Sequence, residues 1–133
     1  MNAKSLTIKK MTATLYTEDV AACVRFWVDR LHFEKTVEVP DGAKIAFAAL
    51  QNGPIELMYG SYASLDGEAA TARAYTKGTS FLFVEVEEVD SVFAVMADAP
   101  IVAPIHKTFY GATEFTVKDP AGHLITFAQF GNP

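Results

Sequence analysis

The chain is short of cysteine, short of histidine and free of long apolar runs, and each shortage removes a class of function. Cys23 is the single cysteine, so no internal disulfide can form, and no Cys/His spacing of a zinc finger occurs. Its place inside an apolar helical repeat reads as a small core residue rather than a nucleophile. The histidines His32, His106 and His123 include no pair at the i, i+4 spacing of a helical metal site. His106 and His123 are read as solvated, and His32 as a helix-end residue whose partly cationic ring suits that terminus. A G-x-S-x-G elbow is missing, which leaves a serine triad unsupported. No stretch approaches the roughly 18 apolar residues of a membrane span, and no apolar segment follows the opening lysines as in a secretory signal. Runs of like charge are absent, and the net charge is -5. Nucleic acid and anionic membrane surfaces call for a basic patch, so neither is expected as a partner. The expected location is the cytoplasm.

What the chain does have is apolar content. Of its 133 residues half are hydrophobic and 12% aromatic, enough for one domain with a real core. Met11 to Thr17 reads as a strand. Glu18-Asp19 then opens a helix whose buried stripe is Val20, Val24, Trp27 and Leu31. Glu34 to Val39, Lys44 to Leu50 and Pro54 to Tyr59 follow as strands, separated by Pro40-Asp41-Gly42 and Asn52-Gly53 turns. Residues 60–78, small and polar, lack a period and read as a linker. The order then repeats: strand Ser80 to Val86, a helix capped at Asp90-Ser91 with the stripe Val89, Val92, Phe93 and Met96, and three more strands. These are Val102 to His106, Thr113 to Lys118 and Leu124 to Phe130. A shift of 69 residues lays Thr17-Glu18-Asp19-Val20 over Val86-Glu87-Glu88-Val89 and Trp27 over Met96. One extra residue in the later turn brings Glu56 onto Thr126. The expected fold is α+β: one domain of two tandem βαβββ modules, about 11–60 and 79–130, whose mixed sheets curl around a concave cleft.

Three segments carry a family resemblance. They are Glu18-Asp19-Val20, Phe26-Trp27-Val28-Asp29-Arg30-Leu31-His32-Phe33 and Asp119-Pro120-Ala121-Gly122-His123. In this order they resemble the vicinal oxygen chelate superfamily, which includes glyoxalase I, extradiol dioxygenases and the fosfomycin and bleomycin resistance proteins. The first helix is similar to the family's F-Y-x-x-x-L-G-F pattern, with Trp27 for tyrosine and His32 for the glycine of a left-handed helix end. The resemblance implies four metal-ligand positions, one on each of four strands, and they fall on Thr12, Glu56, Phe81 and Thr126. Only Glu56 keeps a metal-binding side chain, so neither a metal nor any other cofactor is expected. The resemblance also implies a homodimer with grooves between protomers.

Strand alternation sorts the cleft from the core. Thr12, Thr14 and Tyr16 share the cleft face with Glu56 and Met58, with Phe81, Phe83 and Glu85, and with Leu124, Thr126 and Ala128. Phe115 and Val117 read as core, which turns Glu114 and Thr116 inward, and Phe109 and Tyr110 fall at the rim. An aromatic cleft with carboxylates suits a planar, often cationic, ligand. The expected ligand contacts are Thr12, Tyr16, Glu56, Met58, Phe81, Phe83, Tyr110, Glu114 and Thr126. The reading is a metal-independent binding protein similar to bleomycin resistance proteins, holding a small molecule without transforming it, so that no residue is assigned as catalytic. The alternative is a glyoxalase-like lyase, isomerase or dioxygenase with Glu56 as base. A third reading has Phe81 and Phe83 packed together as a plug, closing the cleft of a structural or regulatory domain. Glu56 could equally pair with Arg73 or Lys44.

Overall fold

Apolar side chains at every second strand position and every third or fourth helix position need a common interior, and the fold supplies one between two sheets' helix-covered sides. The computed structural model describes residues 6–65 and 77–131. Its first module is β1 (Ala13–Thr17), α1 (Val20–Leu31), β2 (Glu34–Asp41), β3 (Lys44–Asn52) and β4 (Ile55–Ser61). A short α2 (Tyr62–Leu65) follows. The second module is β5 (Phe81–Glu85), α3 (Val89–Val95), β6 (Ile101–Lys107), β7 (Ala112–Lys118) and β8 (Leu124–Phe130). The sheets run β1-β4-β3-β2 and β5-β8-β7-β6, each parallel at its first pair and antiparallel elsewhere.

Local chemistry sets the boundaries. Asp19 caps α1, its carboxylate accepting the Ala22 N–H at 3.1 Å. At the other end His32 adopts the left-handed conformation (φ 57°) that the family pattern assigns to glycine, and its N–H returns to the Val28 carbonyl. Histidine is among the residues that reach this region without prohibitive strain. Two expectations need correction. The cap of α3 is Glu88, not Asp90-Ser91: Glu88 holds the extended N-cap backbone, and Ser91 lies within the first turn, donating to the Glu88 carboxylate. The linker begins later than residue 60, because β4 carries on through Gly60 and Ser61 to complete its pairing with β1. Residues 66–76 of that linker lie outside the described residues.

The interior holds Phe26, Trp27, Tyr59, Phe115 and Phe127, with Cys23 and Met96 fully enclosed. Residues of both modules form one cluster, so the helix sides of the sheets are the seam of the molecule. Trp27 contacts the Phe127 ring at 6.2 Å between centroids. Its indole N–H donates to the Tyr59 hydroxyl (2.8 Å), which donates to Asp119 (2.7 Å). Asp119 also accepts the N–H groups of Ala121 and His123, so this buried carboxylate is fully satisfied. Arg30 on α1 adds a two-pronged, exposed contact to Asp98.

His123 is a further correction. It is 2% exposed rather than solvated. Nδ1 accepts the Ser80 N–H (2.9 Å) and Nε2 donates to the Tyr16 carbonyl (2.8 Å), tying β8's approach to β1.

Candidate functional site

Because Leu15, Leu57, Tyr59, Phe115 and Phe127 turn toward the helices, their strand neighbours face the other way. On the first sheet the register aligns Thr14, Met58, Ala49 and Val37 in one row, and Tyr16, Gly60, Phe47 and Val39 in the next. On the second it aligns Phe83, Thr126 and Thr116, then Glu85, Ala128, Glu114 and His106. Every residue assigned to the cleft by alternation lies on one of these two faces or at its edge.

On the first face the polar groups satisfy one another. Glu56 accepts the Thr12 hydroxyl at 2.9 Å and the Lys10 ammonium at 2.6 Å. Lys10, rather than Lys44, is therefore its cation; Arg73 lies outside the described residues. The Lys10 contact, and after it the Thr12 hydroxyl, hold the Glu56 carboxyl below its ordinary value. The Thr14 hydroxyl points to the Met58 sulfur. Tyr16 lies flat over Gly60, where any Cβ would come within 2.7 Å of the ring.

The second face is open and aromatic. Phe81 is 74% exposed and Phe83 55%, and Phe109 is entirely exposed. The Phe83 and Phe130 rings stand 6.1 Å apart and the Phe130 and Tyr110 rings 6.2 Å apart, a connected aromatic strip. Tyr110 donates its hydroxyl to Glu114, a carboxylate only 8% exposed. That bond, then burial, raises the Tyr110 phenol above its usual range. The hydroxyls of Thr116 and Thr126 bond to each other at 2.7 Å. Phe81 and Phe83 do not enclose one another, so the plug is not formed within the chain: both rings stand on the open side of β5.

The site residues thus fall in two groups. Thr12, Tyr16, Glu56 and Met58 share the first face, and Phe81, Phe83, Tyr110, Glu114 and Thr126 the second. One residue of each group, Glu56 and Phe83, borders a cavity of about 170 Å³ whose other lining residues, Trp27, Phe33, Leu57 and Leu82, belong to the core side of the sheets. Lys10 was missed from sequence, although alternation places it on the face of Thr12 and Tyr16.

The four inherited ligand positions do not fit a divalent transition metal. Thr12 already bonds to Glu56 and Thr126 to Thr116, Phe81 has no donor atom, and Lys10 already supplies a positive charge to the one carboxylate. Among the described residues no three His, Cys, Asp or Glu side chains gather as a metal cluster elsewhere. No described helix is long and apolar enough to cross a membrane.

The model of the glyoxalase/bleomycin resistance protein/dioxygenase superfamily matches residues 10–127. The chain belongs to that superfamily. Among solved structures, TioX from Micromonospora sp. ML1 is 25% identical, with a TM-score of 0.72 over 92% of this chain and 99% of its own. The bleomycin-binding protein of bleomycin-producing Streptomyces verticillus, complexed with copper(II)-bleomycin, is 24% identical, with a TM-score of 0.63 over 96% of this chain and 100% of its own. A lactoylglutathione lyase from Agrobacterium tumefaciens shares the fold at 17% identity, with a TM-score of 0.75 over 94% and 96%. No protein of curated function matches the sequence. Binders and enzymes therefore share this architecture, and the choice between them rests on the side chains.

Proposed function

We propose that this superfamily member is a metal-independent small-molecule binding protein that holds a bulky aromatic compound on the open face of its second sheet. The observation that carries this reading is the strip of Phe81, Phe83, Phe130 and Tyr110, rings left exposed on the side facing away from the core. Contiguous exposed rings of this kind are costly in water and mark a surface that something covers. The likeness to a protein complexed with copper(II)-bleomycin supports a ligand as one of the things that cover it. A second copy of the chain is the other: in a homodimer, the first face of one protomer, apolar at Val37, Val39, Phe47 and Met58, would lie across the aromatic face of its partner. The groove between them would take the ligand, and the protein would work in the cytoplasm by sequestration.

Chemistry at Glu56 has less support. A general base works best with a pKa near the working pH, and Lys10 moves Glu56 in the opposite direction. A purely structural domain with a closed cleft is disfavoured by the exposure of Phe81 and Phe83.

The test is calorimetry of the wild-type chain and of Phe81→Ala with copper(II)-bleomycin and with uncharged acridine, alongside sedimentation at micromolar concentration. The expected result is a dimer that binds at least one probe, with Phe81→Ala weakening it by about 1–3 kcal/mol, as for loss of a hot-spot ring. A monomer would remove the groove, and a chain that binds neither probe would overturn the reading.

A further inference from the structure

Glu56, Glu85 and Glu114 lie on the faces turned away from the helices, and among the described residues Glu56 alone of the three has an ion-pair partner. Glu56 has the Lys10 ammonium and the Thr12 hydroxyl. Glu114 is more deeply buried, at 8% exposure, yet its one bond among the described residues is the neutral hydroxyl of Tyr110. One oxygen is thereby held, and the other, without a bond among the described residues, reaches the surface. No described lysine, arginine or histidine makes an ion pair with Glu114, whereas four other acidic side chains have such partners: Glu18, Glu38, Glu56 and Asp98.

The surroundings sharpen the contrast. Glu114 stands in the row Glu85, Ala128, Glu114, His106 across the second sheet. Ala128, between Glu85 and Glu114, is small and fully buried, covered by its neighbours on the sheet. The adjoining Thr116 and Thr126 hydroxyls are engaged with each other and offer Glu114 nothing. The His106 Nδ1 lies 2.8 Å from the Pro104 carbonyl, so the proton on that nitrogen is directed along its own strand. Beside Glu114 stand Tyr110, Phe130 and Phe83, each ring within about 6 Å of the next. A carboxylate with so little exposed surface keeps few of its waters, so a cation at its open oxygen displaces little solvent and gains further from adjacent ring faces.

The geometry points to a subsite for the cationic group of an aromatic ligand, in which the Glu114 carboxylate takes an ammonium or amidinium and Phe83, Phe130 and Tyr110 take the ring. This inference rests on the binding role proposed above and adds the charge of the ligand and the carboxylate that selects it. Tyr110 is a positioning residue here: its O–H fixes one carboxylate oxygen and leaves the second for the ligand N–H. Glu56 is not part of the selection, because Lys10 already balances it. Glu85, exposed at the far side of Ala128, adds negative potential without a direct contact.

The experiment uses two probes of one ring system, acridine in buffer where it is uncharged and 9-aminoacridine, an amidinium-type cation with N–H donors in the same buffer, titrated into the whole protein and followed by fluorescence. Wild-type protein should bind the cation about tenfold or more tightly than the neutral ring, which is the scale of a cation–ring and carboxylate contact together. Glu114→Gln should abolish that preference and leave acridine affinity within about twofold, because the amide keeps the shape and removes the charge. Glu56→Gln should leave the preference in place. Equal binding of the two probes by wild type would overturn the subsite while leaving the aromatic binding role intact. A preference that survives Glu114→Gln, or that Glu56→Gln removes, would place the cation elsewhere and overturn it equally. Absence of binding by either probe, with copper(II)-bleomycin also unbound, would overturn the binding role itself. The wild-type preference can be read even if Glu114→Gln fails to fold, and melting curves identify that case.

Discussion

In the first module the groups on the face away from the helices are tied to one another: Glu56 to Lys10 and Thr12, Thr14 to Met58, and the Tyr16 ring flat against Gly60. In the second module the same face carries exposed phenylalanines and Glu114, a carboxylate 8% exposed and without a cation among the described residues. The backbone plan is shared, so the difference lies in a few side chains. A shift of 70 residues brings Gly60 onto Phe130, a vacancy filled by Tyr16 in one module and a projecting ring in the other. The helices differ in the same sense. α1 has 12 residues and buries Phe26 and Trp27, whereas α3 has 7 and buries Val89. The first module is built as the scaffold, and the second offers the surface.

The sharpest way to break this comparison is at the pair Trp27 and Met96, equivalent under the 69-residue shift and both fully buried. Trp27→Ala should destabilise by about 4 kcal/mol, from the cavity and from loss of the indole donor to Tyr59. Met96→Ala, which leaves no polar group unpaired, should cost about 3 kcal/mol. Urea unfolding of both variants measures the difference. A larger loss for Met96→Ala would mean that α1 is not the principal anchor.

A smaller effect sharpens the contrast between the faces. Gly60→Ala places a methyl group 2.7 Å from Tyr16 Cε1. The contact is with the end of a side chain, so the ring can tilt away, and the cost should be about 1 kcal/mol. Urea unfolding gives the cost, and the Tyr16 ring resonances should shift strongly. If they stay in place, Tyr16 does not cover Gly60, and the first face is as open as the second.

Much of this was legible in the sequence because it follows from period. The alternation of Leu15, Leu57, Phe115 and Val117 with Tyr16, Glu56, Glu114 and Thr116 fixes which side of each strand meets the helices, and the structure agrees at every one of these positions. His32 at the helix end was legible from its place in the family pattern. What could not be read were contacts between modules. Tyr59 and Asp119 are 60 residues apart, and a D-P-x-G turn explains its aspartate without any partner. His123 looked solvated for the same reason: a turn residue is buried only if another module closes over it, and here Ser80 and Tyr16 do. Lys10 lies just ahead of the first strand, where alternation still operates although no strand signal marks the position.

That lysine gives the last and smallest test. The Lys10 ammonium, and then the Thr12 hydroxyl, hold the Glu56 carboxyl below its ordinary 4.5. A carboxyl depressed in the folded state contributes stability that is present above the unfolded value and is lost as pH falls through the folded value. Lys10→Met should therefore raise the Glu56 titration midpoint toward 4.5, followed by the side-chain carboxyl resonance across an acid titration. The melting temperature should fall slightly at neutral pH, and the two proteins should converge in acid, where both carboxyls are protonated. The effect is small because the Lys10 side chain is 61% exposed and water screens the pair. The same variant also tests the comparison between faces. With Lys10 gone, Glu56 joins Glu114 as a carboxylate without a cation among the described residues, and binding of 9-aminoacridine should gain modestly over acridine. An unchanged Glu56 midpoint would show that Lys10 does not neutralise the first face, and the contrast between the two carboxylates would then need another cause.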